Sequence, residues 1–369
     1  MTRPQIGVNA RFLLPDRLEG IGRFSHEVLQ RLVVNMSDVD FHFYFDRPFS
    51  KIYLYASNVI PHHIPPPARH PLLWLAWFEL GIPYILSKTR AQAFFSPDGY
   101  LCLNTKIPQF PVFHDIAFEH YPKDISAIYA RYYQTFFPRF ARKAKQILTV
   151  SEFSKLDIIE KYHINAEKIT VIGNGCSEIF SPIPATEYNE LPYFLYAGAI
   201  QPRKNLENLL LAYDKFRDNY PSRVILKLTG RKAWNFENII STYENMKYKS
   251  DVIFTGFVSD SELNRLYAGA LALCYVSRFE GFGLPILEAF HAGTPVITST
   301  TSSMPEVAGN AALLVNPEKV EEITQAMLNL ALHPTLRQEL IQNGNIQKNK
   351  FSWEKTSGLV ETILRKSIQ

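Results

Sequence analysis

Three short segments carry residues whose types and spacing suit anion and sugar chemistry. Arg203-Lys204-Asn205 follows an apolar run and precedes a helical pattern. Two cations beside a helix N-terminus suit a diphosphate, because free amides and the helix dipole both favour negative charge. Arginine brings a planar fork and lysine a compact point charge. Glu280-Gly281-Phe282-Gly283-Leu284-Pro285, with Glu288 eight positions after Glu280, again lies between an apolar run and a helix start. Its glycines let backbone amides approach a ligand closely. Its two carboxylates can each accept from vicinal hydroxyls, as a ribose diol or a hexose would present them. His114-Asp115 ends an apolar run in the first half. A lone histidine is more often structural, but this one stands where ligands of α/β proteins bind.

Other segments invite a reading and lose it. Gly20-Ile21-Gly22-Arg23-Phe24-Ser25 resembles a dinucleotide fingerprint without its last glycine, with Asp46 further on. The fingerprint needs a tight turn directly off a strand, and Leu13–Glu19 intervene. We read Gly20 and Gly22 as a floor for phosphate or acceptor. Asp38-Val39-Asp40 has a metal-binding spacing but precedes a strand instead of following one, so no metal is expected. Pro61, Pro65, Pro66, Pro67 and Pro71 read as an irregular loop.

The elements that must position these groups alternate. Strand patterns run over 6–12, 41–45, 111–114 and 147–150 in the first half. In the second they run over 193–197, 224–229, 252–254, 271–276, 295–298 and 312–315, with helix-length segments between. Such alternation predicts α/β architecture with two doubly wound parallel sheets covered on both faces. The proline-rich stretch 180–192 marks a boundary, giving domains 1–182 and 183–351. Segment 70–86 is rich in Leu, Trp and Phe but interrupted by Glu79, Gly81 and Pro83, and its first part reads as a buried amphipathic helix in preference to a membrane-surface one. Ser151 and Ser259 stand as N-caps, the latter with capping-box spacing to Glu262.

The 369 residues suit two domains. With 46% hydrophobic and 20% charged residues the composition is that of a folded globular chain. No apolar run approaches the roughly 18 residues of a transmembrane helix, and no signal-peptide pattern opens the chain. Three widely separated cysteines, Cys102, Cys176 and Cys274, suit a reducing compartment, so the expected location is the cytoplasm. Net charge is +4. Lys and Arg outnumber Asp and Glu by 20 to 16 through Pro182 and match them at 19 each beyond it. This excess is too mild for nucleic acid, but it suits an anionic acceptor or contact of the first domain with the inner face of a membrane.

Taken together the segments resemble the retaining family 4 glycosyltransferases of GT-B fold, two Rossmann-like domains facing an interdomain cleft. The resemblance runs through Gly20–Phe24, His114-Asp115, Thr149–Lys155, Pro202–Asn205, Gly256–Val258, Glu280–Glu288, Ser302–Glu306 and Phe351–Trp353. It implies a donor site made by Arg203, Lys204, Gly281, Phe282, Gly283, Leu284 and Glu288, with Gly198 and Gly230 at strand ends. Glu280 and His114 are implied beside the reacting sugar, and Glu288 on the nucleotide ribose. Many members carry Gly-Arg where this chain has Gly198-Ala199, so phosphate neutralisation falls to Arg203 and Lys204, aided by Arg231 or Lys232. A C-terminal helix over 352–369 is implied to return to the first domain. The expected activity is transfer of a hexose from a nucleoside-diphosphate sugar to a glycan or lipid-linked glycan, with UDP-glucose ahead of GDP-mannose. An NAD-dependent dehydrogenase and a non-catalytic sugar-binding module are the rivals.

Overall fold

The computed structural model describes residues 3–15, 18, 20–184, 191–231 and 236–368. The chain divides into two units, Met1–Asn174 with Ser352–Gln369, and Gly175–Phe351. The division falls ahead of the Pro182 boundary read from the sequence. Phe180 packs edge-on to Tyr267, the Ser181 amide bonds to Asn264, and Pro182 lies by Gly293. Those contacts tie the stretch to the second unit.

Among the described residues the first unit holds seven parallel strands: β1 Gln5–Asn9, β2 Asp40–Phe45, β3 Val59–His63, β4 Ala93–Ser96, β5 Gln109–Phe113, β6 Ile147–Thr149 and β7 Ile169–Val171. Their order is β3-β2-β1-β4-β5-β6-β7. Strand β1 is therefore the point where the winding reverses, between β2 and β4. Strand β3 lies in the stretch read as a proline loop. It is an edge strand, where Pro61 costs no ladder hydrogen bond that a central position would need. Pro71 opens the helix Pro71–Ala76, and Ser151 caps the helix Glu152–Tyr162 by accepting from the Ser154 amide.

Segment 71–88 is helical throughout, with a π turn at Trp77–Gly81. Pro83 lacks an amide hydrogen and its ring crowds the carbonyl four residues back, which the wider turn accommodates. The inward side buries Trp74, Trp77, Phe78, Ile82 and Leu86 in the aromatic core with Tyr100. The C-terminal helix Trp353–Ile368 packs on the helix Ile21–Asn35. Trp353 meets Phe24 edge-on, Arg31 pairs with Glu354, and Arg365 pairs with Asp38.

The described residues of the second unit form six parallel strands: β8 Tyr193–Ala197, β9 Ile225–Thr229, β10 Val252–Gly256, β11 Ala272–Tyr275, β12 Val296–Ser299 and β13 Ala312–Val315. Their order, β10-β9-β8-β11-β12-β13, repeats the doubly wound pattern, and its winding reverses at β8 and β11. Ser259 caps the helix Asp260–Ala268 through the Glu262 amide.

Candidate functional site

The carboxyl ends of β8 and β11 explain why Arg203 and Glu280, 77 residues apart in sequence, meet. The two strands are hydrogen-bonded neighbours, so the loops that leave them emerge side by side. After β8 the chain turns through Pro202–Lys204 as a 3-10 helix, and Asn205 adopts a left-handed conformation before the helix Leu206–Asn219. The Asn205 side-chain Nδ2 donates to the carbonyls of Val276, at 3.0 Å, and Pro317, at 2.7 Å. The Arg278 amide donates to the Arg203 carbonyl at 2.9 Å. Arg203 and Lys204 are thus fixed against the loop after β11.

In that loop lies Glu280, its side chain 9% exposed. Lys204 Nζ donates to its Oε1 at 2.5 Å, and Arg203 lies 3.2 Å from Oε2. Arg203 also donates to the Phe279 carbonyl, and Lys204 to the Tyr275 hydroxyl at 2.9 Å. Burial by itself would raise the Glu280 pKa. Lys204 and Arg203 outweigh it and hold the carboxyl down to about 2. A charge this deep needs such partners. Glu280 is therefore an ionised acceptor. Two cations face one carboxylate here.

Two serines complete the loop. Ser303 Oγ donates to the carbonyls of Glu280 and Phe282, both at 2.8 Å, and Ser302 Oγ accepts from the Glu280 amide at 3.0 Å. Gly283 then takes φ +103 at the N-cap of the helix Leu284–Ala292, where no side chain caps the first turn. A Cβ at Gly283 would add left-handed strain and crowd Ile286 at 3.2 Å. Glu288, half-buried on this helix, accepts from the buried Tyr267 hydroxyl at 2.9 Å. Ser302, Ser303 and Tyr267 received no site role from the sequence. The Ser302–Glu306 segment is present in the family resemblance, and only the fold shows that it supports the Glu280 loop.

Gly198 and Gly230, after β8 and β9, are packed backbone to backbone. A Cβ on Gly230 would lie 1.9 Å from the Gly198 carbonyl oxygen. Arg231 is exposed beyond this turn, its carbonyl accepting from the Ile200 amide, and Lys232 lies outside the described residues.

In the first unit His114 leaves β5 half-buried, and its Nε2 lies 2.8 Å from the Pro97 carbonyl. A carbonyl can only accept, so Nε2 carries the proton and Nδ1 is left as an acceptor. Burial depresses its pKa more than the Pro97 carbonyl, Asp115 and Asp98 raise it, which favours the neutral ring. Phe24, on the helix that starts after Gly20 and contains Gly22, meets the ring edge-on at 4.8 Å. The structure therefore brings the Gly20 turn and His114 together through Phe24. Beside them is a network that the sequence reading missed. Asp98, just past β4, accepts from Arg11 at 2.5 Å, Asn9 at 2.7 Å and Ser96 at 3.0 Å. Its only sequence signal is polar residues at the ends of two strands. Asp38 and Asp40, spaced as a metal motif, instead bond to Arg365 and to Arg3 and Gln5.

Comparison with known proteins agrees with this geometry. The family profile described as Glycosyltransferase Family 4 matches residues 18–178, and that described as Glycosyl transferases group 1 matches residues 181–347. The O-antigen chain mannosyltransferase B of Escherichia coli is 31% identical over 361 residues, covering 91% of this chain and 93% of that one. An O-antigen chain mannosyltransferase of Salmonella typhimurium is 33% identical over 221 residues, 60% of each chain. Among solved structures, the sucrose-phosphate synthase of Thermosynechococcus elongatus superposes with a TM-score of 0.78 at 16% identity, covering 99% of both chains.

Proposed function

Because the chain belongs to the glycosyltransferases of GT-B fold, with a family 4 first domain and a group 1 second domain, we propose that it moves mannose from a nucleoside-diphosphate mannose to a growing glycan or lipid-linked glycan in O-antigen-type polysaccharide synthesis. The relatives named as mannosyltransferases support mannose as the transferred sugar, so we place GDP-mannose ahead of UDP-glucose, the reverse of the order suggested by the sequence. The reaction would run in the cytoplasm, where nucleotide sugars are made.

The observation that carries the reading is the Arg203–Lys204–Glu280 cluster at the reversal of the second sheet. Departure of a nucleoside diphosphate builds negative charge on the leaving oxygens and positive charge at the sugar. Arg203 and Lys204 would stabilise the first electrostatically. Glu280, ionised and unable to donate, would accept from sugar hydroxyls, and Glu288 from the ribose. Amides of Gly281, Phe282, Gly283 and Leu284 would line the donor. His114 Nδ1 would accept from a hydroxyl beside the reacting carbon. A carboxylate clamped by two cations is a weak nucleophile, so we favour displacement on one face of the sugar, with retention and no covalent intermediate. The charge available to the diphosphate comes from Arg203 and Lys204, so no divalent metal is required.

A thermal-shift panel of GDP, UDP and ADP sugars tests the donor, since a ligand bound only by the folded state raises the midpoint. GDP-mannose should raise it most and should be consumed with release of GDP when acceptor is present. Nucleotide sugars that neither shift the midpoint nor release nucleoside diphosphate would overturn the reading.

A further inference from the structure

We infer that the outward faces of two packed helical segments in the first unit, 71–88 and Ala127–Lys143, form a docking surface for an anionic lipid bilayer. A surface helix ordinarily turns polar residues to solvent. Segment 71–88 does not. Leu72, Leu80 and Tyr84 are 69%, 70% and 68% exposed, and Leu73 joins them. Their spacing, near multiples of four, sets them along one stripe opposite the buried tryptophans.

The charges beside this stripe have one sign. Between residues 69 and 90 the only acid is Glu79, and its two oxygens accept from the amides of Leu103, at 2.9 Å, and Asn104, at 3.0 Å. What remains is Arg69, Lys88 and Arg90, all exposed and none in an ion pair among the described residues. Trp74 joins the two segments, its ring 5.0 Å from Tyr132 and 5.8 Å from Tyr133. Helix Ala127–Lys143 contains no acid and exposes Ile128, Arg131, Arg139 and Arg142.

Apolar side chains for the acyl boundary, ringed by unpaired cations for phosphate headgroups, fit an anionic bilayer. A second copy of the same face would oppose cations to cations with no acid to answer them. The sequence reading of the first part of 70–86 as a buried amphipathic helix holds for the side that carries Trp74 and Trp77. The other side is the surface proposed here. The inference extends the lipid-linked acceptor reading, and rests on it only for why the enzyme would work at a membrane.

The test is cosedimentation of the full chain with phosphatidylcholine vesicles, with and without phosphatidylglycerol. Binding should be about tenfold or more tighter to the anionic vesicles and should weaken as salt rises. The double variants Leu72→Ser/Leu80→Ser and Arg131→Gln/Arg142→Gln should each lower it about tenfold, with thermal midpoints unchanged. Equal binding to both vesicle types, or wild-type binding in either double variant, overturns the proposal. So does a solution dimer that the leucine variant dissolves, which would make a second copy the occupant. Nucleoside-diphosphate binding on the same preparations reports on the transfer reading alone, so the two ideas fail on different readouts.

Discussion

At Glu280 burial and two cations pull in opposite directions, and the cations win. The folded carboxyl, near 2, lies below its ordinary value of 4.5. Its contribution to stability is therefore complete above about pH 4.5 and is lost as pH falls towards 2. That contribution is on the order of 3 kcal/mol. Glu280→Gln, which strands two half-buried cations, should cost the second unit about 3 kcal/mol at neutral pH. The deficit should shrink below pH 4 in urea titrations. A deficit that stays constant to pH 3 would contradict the ion-pair account. In the proposed reaction the same variant should lose more turnover than nucleoside-diphosphate affinity. Lys204→Ala should lower transfer by roughly 10²–10³, the scale of one preorganised donor to a developing anion. Wild-type rates should be unchanged by EDTA. Loss of activity in EDTA with full recovery on adding magnesium, while Lys204→Ala stays near wild type, would sink that assignment. Tyr267→Phe removes the hydrogen bond that orients Glu288 and should weaken nucleotide binding by about 1.5–3 kcal/mol. Calorimetry on the folded variant measures it, and an unchanged affinity would mean Glu288 needs no such support.

Among the elements, the turns after β8 and β9 are the least tolerant part of the second unit. Gly230 has φ +140, and a Cβ there would penetrate the Gly198 carbonyl. Relief requires the two backbones to separate, which also shifts the loop that carries Arg203 and Lys204. Gly230→Ala should therefore destabilise by about 3 kcal/mol or more, combining clash with left-handed strain. Nucleotide affinity should fall in the same variant. Gly20→Ala is the control, because nothing lies within 4 Å of a Cβ at Gly20. It should cost only the conformational strain of its φ +46, ψ −110 backbone, about 1–3 kcal/mol. Equal chemical-denaturation midpoints for the two variants would argue against the packed-turn account.

For the whole molecule the decisive feature is that the last helix belongs with the first sheet. Trp353, Val360, Ile363 and Leu364 are buried there, and Arg31–Glu354 and Arg365–Asp38 pin the helix at both ends. Truncation after residue 351 should lower the unfolding midpoint of the first unit and leave the second nearly unchanged. Each unit carries its own sheet and core, so two transitions are the natural expectation for the truncated chain. A nucleoside diphosphate should raise only the transition assigned to the second unit. Differential scanning calorimetry with and without ligand reads both effects. A single cooperative transition that shifts as one in the truncated chain would refute the division.

Much of this protein was legible in the sequence because its signals are local. Alternating apolar runs and helical segments gave the two wound sheets, and cap residues such as Ser151 and Ser259 declared their helices through bonds three residues long. The functional segments stood out because glycines, cations and acids interrupt those runs at strand ends. Edge strand β3 was hidden, since a proline inside a strand cannot be told from a loop without knowing that the strand is an edge. The pairing of Glu280 with Arg203 and Lys204, the bond from Tyr267 to Glu288, and the Arg11–Asp98 network were also out of reach. The first and last join residues far apart in the chain, and their meeting depends on which strands lie side by side where the winding reverses, while Tyr267 and Glu288 meet because the consecutive helices that carry them pack together. Sequence periodicity tells a strand which face is buried. Only the tertiary structure decides its neighbours, and through them the charge that a buried carboxylate keeps.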